Sequence, residues 1–66
     1  MITVEDVKIK VKEIEGKSDD PECAHSAEDR LYREVLEAIS DGAENAKDLA
    51  KEALKTKDID FERWCA

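Results

Sequence analysis

The chain has 66 residues, 41% of them apolar and 44% charged, with a net charge of −7. That length makes one domain, 1–66, which buries only about 60% of the surface its unfolded chain exposes. Its few large apolar residues suffice for one thin core, in which an enclosed substrate cavity of roughly 300 Å3 or more is hard to build. The charge disfavours direct nucleic-acid binding, which needs a basic face, and it disfavours anionic membrane surfaces. The expectation is therefore an interaction protein and not an enzyme, with homo-oligomerisation one way for so small a chain to gain stability.

Residues 2–15, ITVEDVKIKVKEIE, carry two periods at once. Val4, Val7, Val11 and Ile14 follow helical spacing, and Thr3 with Asp6 makes a weak variant of the capping box. Val7, Ile9 and Val11 also alternate with lysines, as in a strand, and β-branched residues favour that state. A strand needs partners and no other segment reads as one, so helix is favoured. The alternative is a strand pairing with its own copy in a homodimer. Gly16 then closes the segment in the left-handed conformation.

After the loop GKSDD, Asp20 caps a second helix with Pro21 at its first position, where a missing N–H costs nothing. Residues 21–41 form the clearest helix, its stripe made by Ala24, Ala27, Leu31, Val35 and Ala38 and widened by Leu36 and Ile39, and Gly42 stops it. Residues 45–56 read as a third helix, with Asn45 as cap and Ala46, Leu49, Ala50, Ala53 and Leu54 on one stripe. Asp58 or Asp60 caps one short final turn. Short loops make neighbouring helices antiparallel. Helix three is shorter than helix two, so the tail, with Ile59, Phe61 and Trp64, covers the first half of helix two. The expected fold is all-α: a three-helix bundle with a short C-terminal capping segment.

Neither a signal peptide nor an apolar run of about 20 residues is evident, so the expected location is the cytoplasm, with Cys23 and Cys65 as free thiols. The acidity is local. Residues 13–29 hold Glu13, Glu15, Asp19, Asp20, Glu22, Glu28 and Asp29 against Lys17 alone. Together with His25 these are the candidate partner-binding residues, suited to a basic protein.

His25, Glu28, Asp29 and Tyr32 share one helical face. Thiolates, imidazole and carboxylate are zinc-ligand types, but no C-x2-C or H-x3-H spacing is present, so no metal and no cofactor is expected. The blander reading pairs His25 with a neighbouring carboxylate. Cys23 and His25, two apart on a helix, point to different faces and make no nucleophile–base pair. No glycine-rich phosphate loop occurs.

The A-H-S-x-E-D stretch from Ala24 to Asp29 and the I-D-F-x-R-W-C-A terminus from Ile59 to Ala66 resemble small uncharacterised proteins of bacteria and their phages. The resemblance covers residues 19–66 and implies an accessory or regulatory role without implying an activity. Two functions follow as expectations. One is an acidic helical interaction module with an unidentified protein partner, of which a charge-mimicking inhibitor is one version. The other is a small-ligand or metal binder at the junction of His25, Asp29 and Trp64.

Overall fold

The computed structural model describes residues 2–63. Three helices, α1 (Val4–Glu15), α2 (Pro21–Ser40) and α3 (Ala46–Ala53), are followed by a 3-10 segment, Leu54–Asp58, and an extended tail. Each helix packs against the other two. No strand is present among the described residues, so the first segment takes the helical period and the strand-paired homodimer does not form the fold.

The capping box decides the start of α1. Thr3 Oγ1 accepts from the Asp6 N–H at 3.1 Å, and Asp6 Oδ2 accepts from the Thr3 N–H at 3.1 Å. Two amides left without helical partners are thereby satisfied. The hydrogen bond from the Thr3 backbone, foremost, holds the Asp6 carboxyl below its ordinary pKa. Val7 and Ile14 are buried, while Ile9, which only the strand period required inside, stays exposed.

Gly16 is not left-handed. It sits at φ −68° and ψ −12°, because the chain keeps winding right-handed through the loop. The N–H groups of Lys17 and Ser18 donate to the carbonyls of Ile14 and Glu15. Asp20 caps α2 as expected, its Oδ1 accepting from the Cys23 N–H at 3.3 Å with Pro21 next in the chain. Gly42 provides the left-handed stop at φ +91°. The Ala43 N–H reaches the Ala38 carbonyl and the Gly42 N–H reaches that of Ile39, which is a Schellman closure.

Rising numbers on α1 meet falling numbers on α2. Ile2 shares a hollow with Glu37 and Asp41, Lys10 lies 3.9 Å from Glu34, and Lys17 shares a hollow with Ala27 and Arg30. Those two helices are therefore antiparallel, as short loops require. The core joins Val7 and Ile14 of α1, Ala24, Leu31, Val35 and Ala38 of α2, and Leu49 and Ala53 of α3. Ile59 and Phe61 close it from the tail.

Several expectations in the second half of the chain need correction. The third helix ends at Ala53 instead of 56, and Asn45 precedes it without a side-chain cap bond. Winding then tightens into the 3-10 segment, which buries Thr56 and leaves Leu54 exposed. No turn follows Asp58 among the described residues, and residues 60–63 run extended or irregular. Leu36, expected to widen the α2 stripe, is also exposed. Trp64 and Cys65, to which the sequence assigns tail packing and a free thiol, lie outside the described residues. No helix among the described residues is long and apolar enough to cross a membrane.

The two glycines predict opposite outcomes. At Gly16 an added Cβ meets backbone oxygens no closer than 3.5 Å at an ordinary helical φ. Gly16→Ala should therefore stabilise the fold by about 0.4–1 kcal/mol through the unfolded chain. At Gly42 the space is open but φ is positive, so Gly42→Ala should cost about 1–2 kcal/mol. Thermal melts of the two variants, read by circular dichroism, check the signs.

Candidate functional site

The acidic end does not present all its carboxylates. Glu13, Glu15, Asp19, Asp20, Glu22 and Asp29 are exposed, but Glu28 is only 4% exposed. Its register explains why. Glu28 follows Ala24 by four residues and precedes Leu31 by three, so it lies on the buried stripe of α2. A buried carboxylate needs a charged, hydrogen-bonding partner. Arg63 supplies it from the tail, with Nε 3.1 Å from Glu28 Oε1 and Nη2 3.0 Å from Oε2.

This two-point fork is the strong form of the ion pair. The same guanidinium donates to the Thr56 carbonyl at 2.6 Å and to the Phe61 carbonyl at 3.2 Å, and it stacks over the Phe61 ring at 3.9 Å. Thr56, fully buried, shares a hydrogen bond through its hydroxyl with Tyr32 of α2. One arginine thus ties α2, the 3-10 segment and the tail together. Burial pushes the Glu28 carboxyl up, but the hydrogen bonds and charge of Arg63, helped by Thr56 and His25, leave it below its ordinary pKa. Glu28 is therefore a structural anchor and is removed from the partner-binding set.

His25 is half-buried, with Nε2 3.5 Å from Asp29 Oδ1 one turn on, as the blander reading required. Among the described residues no three of His, Cys, Asp and Glu gather as a metal site. The Cys23 thiol is free and exposed.

A feature that sequence reasoning missed lies between α2 and α3. Tyr32, Val35, Leu36 and Ile39 face Ala50, Ala53 and Leu54 across a hollow of about 230 Å3. Leu36 of α2 is 65% exposed and Leu54, first residue of the 3-10 segment, 52%. The alanines keep its floor low. Both leucines fit the apolar stripes on paper, and the available signal was stripe width, since each lies one residue past a buried position, Val35 or Ala53. No protein-family model, curated protein or solved structure matches the chain.

Two measurements test the anchor. Arg63→Met leaves a buried carboxylate without its partner. Because a third of the Arg63 side chain is exposed, the expected loss is about 2 kcal/mol, below the cost for a fully buried pair. Urea unfolding of Arg63→Met against Glu28→Leu/Arg63→Met should show the double variant recovering part of the loss. The pH dependence has a fixed sign. A carboxyl with a lowered folded pKa contributes fully above its unfolded value, about 4.3, and loses that contribution as pH falls through the folded value. Between about pH 6 and about pH 3 the parent should lose more stability than Glu28→Gln.

Proposed function

We propose that the protein is a non-enzymatic interaction module that docks a protein partner in the hollow between α2 and α3. The supporting observation is the placement of Leu36 and Leu54 on facing lips of that hollow. A single exposed leucine carries no message. Two of them bounding a concave apolar surface, in a chain 44% charged, have the form of a groove that receives an amphipathic helix. A role as a bacterial or phage accessory protein in the cytoplasm fits the resemblance in the sequence, and the exposed Cys23 thiol suits a reducing compartment.

The second reading uses the acidic end. Glu13, Glu15, Asp19, Asp20, Glu22 and Asp29 are all exposed, which favours a basic partner there. His25 belongs to the same end but is held by Asp29.

Affinity capture from the source cell separates the two. The parent chain is compared with Leu36→Ser/Leu54→Ser and with Asp19→Lys/Glu22→Lys, each first shown to melt cooperatively. The expected outcome is a partner kept by the acidic-end variant and lost by the groove variant. The reverse pattern moves the function to the acidic end, and loss in neither variant rejects both surfaces.

A further inference from the structure

Along the two helical lines that carry the groove leucines, cations outnumber carboxylates, against the net charge of the whole molecule. The line from α3 to Leu54 reads Lys47, Lys51, Leu54, at spacings of four and three. The chain then enters the 3-10 segment, where residues three apart eclipse, so Lys57 stands over Leu54. On α2 the matching line reads Asp29, Arg33, Leu36, Ser40. Asp29, the carboxylate on that line, is exposed and lies 3.5 Å from His25 Nε2. Arg33, Lys47, Lys51 and Lys57 are all exposed, and none forms an ion pair among the described residues. A protein of net charge −7 thus places three exposed lysines along the Leu54 side of its apolar groove and one exposed arginine, with Asp29, along the Leu36 side.

We propose that the groove's occupant is an amphipathic helix of a protein partner with carboxylates flanking its apolar stripe. This rests on the groove being the docking surface and names the chemistry of what docks there. The hollow takes an apolar ridge, and the lysine line and Arg33 then meet acidic residues on the two flanks of the incoming helix. A second copy of the chain is a poorer fit. A two-fold contact sets the patch against itself, so the excess of cations on one copy meets the same excess on the other. An anionic bilayer is flat where the groove is concave, and the net negative charge repels it.

The test uses the full chain and two synthetic helical peptides of roughly 18 residues, long enough to populate a helix. Both carry leucines at i, i+4 and i+7. One is flanked by glutamates and the other by lysines. Fluorescence anisotropy should show the glutamate peptide binding at least about tenfold more tightly, with the preference shrinking as salt rises. Lys47→Glu/Lys51→Glu should erase or invert that preference, and Leu36→Ser/Leu54→Ser should abolish binding of both peptides.

Equal binding of the two peptides, lost in the leucine variant, overturns the acidic occupant and leaves the groove reading standing. No binding of either peptide at millimolar concentration overturns both. A concentration-dependent dimer seen by sedimentation, lost in the leucine variant, overturns the proposal in favour of a second copy. Adsorption to phosphatidylserine vesicles without peptide binding overturns it in favour of a membrane.

Discussion

A carboxylate on the buried stripe of α2 imposes a condition on the rest of the chain. Glu28 sits among the residues that make the core, so its charge must be met inside the fold or the stripe cannot close. Arg63 meets it from 35 residues away in sequence. In doing so it draws the tail across the first half of α2 and carries Ile59 and Phe61 into the core. The short third helix leaves that half uncovered, so the ion pair and the apolar cap act on the same gap.

This arrangement divides the labour between apolar and polar groups. Ile59 and Phe61 supply contact area, which is not directional. The Arg63 fork, with its bonds to the Thr56 and Phe61 carbonyls, supplies a unique register for the tail. Tyr32 and Thr56 extend the same network to the middle of α2. No buried side-chain polar atom among the described residues is left without a partner. A domain this small, with a thin core, gains specificity from that satisfaction even where the net energy of the pair is modest.

The same division shapes the surface. The tail serves the first half of α2, while the second half packs between α1 and α3, and the alanines of α3 leave a hollow above them. Leu36 and Leu54 border it, with Lys47, Lys51 and Lys57 on the Leu54 side, while the densest run of acidic residues lies around the α1–α2 loop. The net charge alone conceals the line of lysines beside Leu54. Partner selection through such a surface depends on local sign more than on total charge.

Much of the fold was legible in the sequence because it is set by neighbours along the chain. The Thr3–Asp6 box, the Asp20–Pro21 start and the Gly42 stop each act within a few residues, and their residue types declare them. Helical spacing located Val7, Ile14, Leu31 and Val35 for the same reason. Composition also showed that the acid is concentrated in residues 13–29. The conflict between helix and strand in the first segment was settled by packing, since Val7 and Ile14 find one apolar wall and a strand has none to pair with. Tertiary structure alone decided that Glu28 is an anchor while its acidic neighbours stay in water. That outcome depends on Arg63, a partner distant in sequence, and helical period cannot report what lies opposite a stripe. It also decided that Leu36 and Leu54 stay outside, because stripe width is fixed by how closely the facing helix approaches and where its winding tightens, and neither is written in the residues of one helix.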